Sequence, residues 1–120
     1  MTKNQLGVSW NQGRSVIAMT LTMAWKIKLK EGFFKTVDCE LTLNETLLIM
    51  TPLENHHHPS IELELDEIVE ITMNRKDQTN TEIEIRTNQF IFVVQLLDTR
   101  FEEALILELN GVFQSRFQVI

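Results

Sequence analysis

The amino-acid sequence predicts a mainly β (α+β) domain, in which seven antiparallel strands form a partly open barrel capped by one C-terminal helix. Two observations support this fold class. From about residue 19 to residue 96, apolar and polar residues alternate in short runs, which is the pattern of half-buried strands. An amphipathic helix follows at once, over about residues 99–112. At 120 residues, the chain is long enough to bury one hydrophobic core.

Short polar or turn-forming segments separate the strands. In the first strand, every second residue is apolar, and a row of lysines occupies the positions between. The seventh strand is apolar at nearly every position, so we expect it to be covered on both faces. The predicted strands are residues 21–30, 37–43, 47–50, 61–65, 69–73, 82–86 and 90–96.

The helix carries start and stop signals. Asp98 or Thr99 can accept hydrogen bonds from the first free amides, and Thr99 with Glu102 fits a capping box. Gly111 suits the end of the helix. The apolar stripe consists of Phe101, Leu105, Leu109 and Val112.

Three parts of the chain differ in character. Residues 1–18 form a polar arm in which Trp10 can act as an anchor, and residues 19–112 form the barrel domain. Residues 113–120 form an apolar tail that either extends the helix or adds an edge strand. Because no signal peptide or membrane-length apolar stretch is visible, we expect a cytoplasmic protein.

Charge is distributed unevenly. The net charge is −6, but residues 1–35 carry +5 and residues 36–120 carry −11. An acidic protein is repelled by nucleic acid at long range, so we expect no nucleic-acid partner. Any anionic partner must be met at the first hairpin.

The first hairpin supplies the candidate ligand-binding residues, Lys26, Lys28, Lys30 and Lys35. Near an anionic bilayer, each surface lysine contributes roughly 1 kcal/mol, so four together can support a weak membrane contact. The alternative is a solvated strand face, on which lysines also discourage edge pairing.

A histidine run suggests a metal site. Adjacent side chains alternate in an extended loop, so His56 and His58 can share a face and are the candidate ligands. One or two further ligands would be required, and a plain exposed loop is the alternative. We expect no cofactor.

No catalytic constellation is visible. Cys39 alternates with inward-facing residues, which is typical of a buried small hydrophobe. The sequence contains no Ser/His/Asp set, glycine-rich phosphate loop or paired metal spacing, so we expect a protein that is not an enzyme.

Two further groups of residues are candidates for partner contacts. Acids on alternating positions are typical of a solvated face, but they can also form an acidic patch for a basic partner. These acids are Glu62, Glu64, Asp66, Glu67, Glu82 and Glu84. Four aromatic residues add apolar area that would form a subunit interface unless the N-terminal arm covers it. They are Phe90, Phe92, Phe113 and Phe117.

Seven strands followed by one helix resembles the pleckstrin-homology (PH) superfold. Residues 39–50, 61–68, 81–96 and 99–110 resemble elements of its bacterial, GRAM-type branch. The resemblance covers about residues 19–112 and implies an orthogonal sandwich of two sheets, with roles in membrane recruitment, peptide binding or oligomeric scaffolding. The chain differs from eukaryotic lipid-binding members, because its first hairpin has no arginine and its final helix has no tryptophan.

Two functional hypotheses follow. The first is a non-enzymatic PH-like module that binds a protein partner or assembles with itself. It would use an exposed sheet edge, or the groove between an edge strand and the closing helix. The second is binding of anionic lipid headgroups or polyphosphate by the first-hairpin lysines.

Overall fold

The computed structural model describes residues 23–54, 58–77 and 79–120, which form one continuous sheet and one helix. The strands are β1 (Ala24–Lys30), β2 (Thr36–Leu43), β3 (Leu47–Pro52), β4 (Ile61–Glu64), β5 (Ile68–Asp77), β6 (Asn80–Thr87), β7 (Ile91–Leu96) and β8 (Phe117–Val119). The helix α1 is Glu102–Phe113. Single 3₁₀ turns occupy Leu65–Glu67, Thr99–Phe101 and Gln114–Arg116.

The sheet runs in the order β4-β3-β2-β1-β7-β6-β5-β8. All neighbouring strands are antiparallel except β5 and β8, which are parallel. The prediction of seven antiparallel strands is therefore wrong in one respect: the described chain has eight strands in a mixed sheet. The eighth strand arises because Phe117 is buried only when the chain folds back along β5. Three residues are too few to give a clear alternating pattern.

The core follows the period of two. In β1, Trp25, Ile27 and Leu29 are buried and the lysines between them face outward. The indole Nε1 of Trp25 also donates a 3.0 Å hydrogen bond to the carbonyl oxygen of Phe101, which ties β1 to the segment that leads into α1. The helix contributes Leu105, Leu109 and Phe113 to the same core.

Strand β7 is less covered than its sequence predicts. Val94 and Leu96 are buried, but Phe90 and Ile91 are both 59% exposed. The expectation of cover on both faces is therefore wrong for the beginning of this strand. Phe90 and Ile91 lie where the β6–β7 connection enters the sheet.

The helix begins differently from the prediction. The Asp98 carboxylate accepts a hydrogen bond from the Arg100 backbone N–H at 3.1 Å, so Asp98 caps the preceding 3₁₀ turn. The Thr99–Glu102 capping box is wrong, since Glu102 is the first residue of α1 and its side chain turns into the sheet. Gly111 lies within α1, and the left-handed residue at the end is Gln114, at φ 52°.

Several predictions concern residues outside the described ranges. They include the arm of residues 1–18 with Trp10 and the beginning of the predicted first strand. Within the described ranges, none of the helices has the length and apolarity to cross a bilayer.

Candidate functional site

The lysine row occupies the outer face of β1. The side chains of Lys28 and Lys30 are about two-fifths exposed. Lys26, two residues before Lys28 on the same strand, is also exposed. Lys35 lies in the β1–β2 connection. The structure therefore brings the four predicted residues to one hairpin.

Carboxylates accompany three of these four lysines. Lys30 Nζ lies 2.5 Å from Glu82 Oε2, which lowers the pKa of that carboxyl below its usual value. Lys35 is 3.7 Å from the Glu31 carboxylate, and Lys28 is 4.0 Å from Asp38. Their charges are compensated locally, so the hairpin attracts a distant anion less than its lysine count suggests.

An apolar surface lies at the hairpin tip. Phe33 and Phe34 are completely exposed, with ring centroids 6.3 Å apart. The pairing of Lys30 with Val93 places the beginning of β7, with Phe90 and Ile91, next to this tip. Phe33, Phe34, Phe90 and Ile91 together form this apolar surface. Such a surface is uncommon on a monomer unless something binds to it.

One histidine of the run is positioned by this hairpin. Nε2 of His58 contacts the Glu31 carboxylate, and Nδ1 lies 3.1 Å from the Pro59 carbonyl oxygen. The hydrogen bond to Glu31, with that to Pro59, raises the pKa of His58. His56 lies outside the described residues. Within them, no group of three His, Cys, Asp or Glu side chains could hold a metal ion.

The four aromatic residues predicted for an interface occupy different environments. Phe113 and Phe117 are 2% and 5% exposed, because they fill the core between α1 and the sheet. Phe90 is exposed and its ring centroid lies 6.0 Å from that of Phe92, which is partly buried. Of these four residues, only Phe90 and Phe92 are therefore accessible at the surface.

The chain itself fills the sheet edge beside the helix. Strand β8 pairs with Ile71, Thr72 and Met73 of β5. The Arg116 guanidinium donates to the carbonyl oxygens of Leu65 and Ile68, at 3.1 and 2.7 Å, and fixes the approach to this strand. While β8 is in place, a partner cannot pair directly with β5, and the three residues of β8 form this edge of the sheet.

The other edge of the sheet, β4, has no strand beside it in the described part of the chain. The Leu65 N–H donates to the Thr46 carbonyl oxygen, and hydrogen-bonded pairs alternate along antiparallel strands. Leu63 and Ile61 therefore bond to β3, whereas the backbone groups of Glu62 and Glu64 face away. The Glu64 N–H is already occupied by a 2.8 Å hydrogen bond to Glu67 Oε1. The Glu62 backbone is the part left open.

A concavity adjoins this edge. It has a volume of about 530 Å³ and separates the β4 side of the sheet from the end of α1. Its lining combines apolar, acidic and basic side chains, among them Leu47, Leu65, Val112, Glu45, Glu64, Asp66 and Arg116. An extended segment added to β4 would place alternate side chains toward this concavity.

Sequence reasoning missed a buried polar cluster. Arg75 Nε lies 2.5 Å from Glu102 Oε2, and Thr81 donates to the other oxygen of the same carboxylate. Glu102 is a charged residue of a kind that is normally exposed, whereas Thr81 shares the inward face of β6 with Ile83 and Ile85. Two signals could have found it: the parity of Thr81 with Ile83 and Ile85, and the position of Glu102 within the first turn of a helix that packs on the sheet.

No family model matches the chain, and no curated protein matches it. Solved structures are similar at low sequence identity. The C-terminal domain of an unknown protein from Leishmania infantum has a TM-score of 0.64 at 16% identity, with 79% of this chain and 85% of that one covered. The N-terminal PH domain of human ARAP2 has a TM-score of 0.60 at 11% identity, with 78% and 80% covered. The fold is PH-like.

A third similar structure is an assembly. The Spt16D–Pob3N heterodimer has a TM-score of 0.62 at 12% identity, with 84% of this chain covered and 55% of that one. At such identities, the likeness establishes the PH-like architecture of this chain and leaves its ligand to be argued from its own surfaces.

Proposed function

We propose that this chain is a non-enzymatic interaction module that binds an extended segment of a partner protein along β4. The observation that carries this proposal is the difference between the two sheet edges. Strand β8 is an edge of only three residues, whereas β4 adjoins the concavity and none of the described strands lies beside its Glu62 backbone. Open edges recognise peptides through main-chain hydrogen bonds, and neighbouring pockets select the side chains.

The closing helix takes part through its last turn. Val112 and Arg116 line the concavity beside β4, opposite Leu65 of the 3₁₀ turn. A bound strand would thus contact the sheet with its backbone and the helix end with inward-facing side chains. This arrangement combines the sheet edge and the closing helix in one site.

A peptide library tests the proposal without assuming a ligand. Peptides displayed on phage are selected on the wild-type protein and then counter-selected on Glu62→Pro. Proline removes one outward N–H and is tolerated at an edge position whose N–H does not bond inside the sheet. We expect enriched peptides that lose at least about tenfold in affinity for Glu62→Pro, since their main-chain pairing is blocked.

Glu62→Gln is the matched control, because it changes the side chain and keeps the N–H. Circular dichroism and urea unfolding establish that both variants are folded. Enriched peptides that bind the wild type and Glu62→Pro equally would contradict strand addition at β4.

Self-assembly is the second form of this proposal. The exposed residues Phe90 and Ile91 offer apolar area to a second copy. Light scattering over a hundredfold range of concentration tests it, with Phe90→Ser plus Ile91→Ser as the variant. A mass that stays at 14.0 kDa throughout would exclude self-assembly.

A second candidate function is contact with an anionic lipid surface, for which the complete exposure of Phe33 and Phe34 is the specific observation. Two adjacent aromatic rings at a hairpin tip can enter the interfacial region of a bilayer, while Lys26, Lys28, Lys30 and Lys35 lie near the headgroups. The carboxylates beside three of these lysines weaken the electrostatic attraction between the hairpin and anionic headgroups. We therefore expect binding that depends more on the rings than on the charges.

Co-sedimentation with vesicles separates the two contributions. Vesicles with and without phosphatidylserine are mixed with the wild type, with Phe33→Ser plus Phe34→Ser, and with Lys26, Lys28 and Lys30 replaced by glutamine. We expect the aromatic variant to remain in the supernatant and the lysine variant to lose only the dependence on phosphatidylserine. No sedimentation of the wild type at low salt would exclude the lipid function.

The proposal extends to the family branch, the cellular location and the metal ligands. Membership in the bacterial, GRAM-like branch is supported by the resemblance of residues 39–50 and 61–68. A cytoplasmic location is consistent with the lack of a membrane-crossing helix in the described residues. The candidate metal ligands His56 and His58 can be tested by zinc titration calorimetry of the double alanine variant.

A further inference from the structure

The charges around β4 indicate what kind of segment would bind there. Between Lys35 and Arg75 the sequence contains nine Asp and Glu residues and no Lys or Arg. This stretch forms β2, β3, β4 and the first half of β5. The open edge therefore lies in a predominantly acidic region of the molecule. Arg116 lines the adjacent concavity, where its guanidinium is held by the backbone carbonyl oxygens of Leu65 and Ile68.

Ion pairing distinguishes the acids of β4 and its following turn from several acids elsewhere on the sheet. Glu82 lies between Lys30 and Lys76, and Glu70 contacts Arg86. In contrast, four acids of β4 and its following turn have no Lys, Arg or His nitrogen within 4 Å among the described residues. They are Glu62, Glu64, Asp66 and Glu67.

We propose that the segment that binds along β4 is basic, with Lys or Arg alternating with apolar residues. This inference rests on the proposed function and specifies the chemistry of the partner. Glu62 and Glu64 project from the same face of β4, and Leu63 projects from the other. Directly opposed side chains on paired strands lie about 5 Å apart, so cations on the outer face of a bound strand meet these carboxylates.

The inner face of the bound strand meets a different surface. Leu63 is buried, and Leu65 and Val112 line the adjacent concavity. Apolar side chains at the alternate positions would contact these residues. The bound segment would therefore alternate apolar and charged residues as β4 does, but its charged residues would be positive.

A second copy of this chain does not fit the same edge. Pairing β4 with β4 would oppose acids of the same sign, which is unfavourable across a sheet. The acids could also serve only to discourage such edge pairing. In that case no peptide of either charge would bind, and the experiment distinguishes this outcome.

The test uses fluorescent hexapeptides with alternating residues and fluorescence anisotropy at low salt. Three probes of equal length carry Lys-Val, Thr-Val or Glu-Val repeats. We expect the Lys-Val probe to bind best and the Glu-Val probe not to bind. Glu62→Gln plus Glu64→Gln should weaken binding of the Lys-Val probe about three- to tenfold, since two cross-strand ion pairs are lost.

Two further variants locate the site. Glu62→Pro should weaken binding of the Lys-Val probe at least about tenfold, since it blocks strand addition. Glu108→Gln, a change of an exposed acid on α1, should leave binding unchanged.

Each contrary result has a distinct meaning. If the Thr-Val probe binds as tightly as the Lys-Val probe and Glu62→Pro blocks both, the charge inference is overturned and the proposed function stands. If Lys-Val binding is unaffected by Glu62→Pro, the attraction is diffuse and both are overturned. If no probe binds, the acids serve only to prevent edge-to-edge pairing, and the inference of a basic segment is overturned. The phage selection then tests the proposed function separately.

Discussion

The hydroxyl of Thr81 donates a 2.5 Å hydrogen bond to the carboxylate of Glu102, between β6 and the first turn of α1. Thr81 is 1% exposed and Glu102 6%. Arg75 supplies the positive charge that this carboxylate needs, from a position that is about two-fifths exposed. The start of the helix is thus fixed by a charge-assisted contact with the sheet.

Replacing Glu102 should destabilise the protein. We expect Glu102→Ala to lower the free energy of unfolding by about 2–3 kcal/mol, because a buried hydroxyl loses its acceptor and an ion pair is broken. Urea denaturation measures the change. Glu103→Ala is the control, since Glu103 contacts the same Arg75 from an exposed position and should cost less than about 1 kcal/mol. Equal losses for the two variants would show that burial is irrelevant here.

Strand β8 should contribute substantially to stability. Phe117→Ala is expected to cost about 3 kcal/mol, because it removes a buried ring from the contact between β8, β5 and α1. The neighbouring change Gln118→Ala, at an exposed position, should stay within about 0.5 kcal/mol. Thermal and urea unfolding give both values. A loss below about 1 kcal/mol for Phe117→Ala would mean that β8 is weakly attached.

The contact between His58 and Glu31 predicts a dependence of stability on pH. The folded protein raises the pKa of His58 above 6.5, mainly through the hydrogen bond to Glu31. The stabilisation is therefore fully present below the unfolded pKa and is lost as the pH rises through the folded-state pKa. Relative to His58→Gln, the wild type should lose stability over this interval. His56 and His57 are present in both proteins, so the difference isolates His58.

Glu31→Gln provides the complementary control, since it removes the negative charge that favours the protonated imidazole and should flatten the same pH profile. Parallel profiles of the wild type and His58→Gln would contradict the assignment.

Cys39 should be chemically inert in the folded protein. Burial, followed by the negative charges of Glu31 and Asp38, raises the pKa of its thiol. At pH 8, we expect alkylation by iodoacetamide to be slower on the order of a hundredfold or more than in concentrated urea. Mass spectrometry follows the modification. Equal rates with and without urea would show that Cys39 is accessible in the folded protein.

Much of the fold could be predicted from alternation, because each strand buries one face. The residues Trp25, Ile27 and Leu29 are an example: their spacing alone places them in the core. The same reasoning left residues 113–120 open between an extension of the helix and an edge strand, and the structure has Phe117 in an edge strand. The segment is only three residues long, and its burial depends on β5, which is distant in sequence.

The candidate site could be predicted only in part. The lysines share one hairpin, as their spacing indicates, but the carboxylates beside them come from the turn, from β2 and from β6. Phe33 and Phe34 follow a glycine in a turn, and composition alone does not distinguish an exposed pair from a buried one. The open backbone at Glu62 depends on the order of the strands in the sheet, which local patterns do not specify.

The central place of β1 in the sheet has a consequence for biosynthesis. Translation produces β1 and β2 early, but β7, the other neighbour of β1, follows only after β3 to β6. Until then, one side of β1 stays unpaired with Trp25, Ile27 and Leu29 beside it. Such an interval favours contacts between nascent chains, so chaperone demand during expression should be highest before Leu96 has left the ribosome.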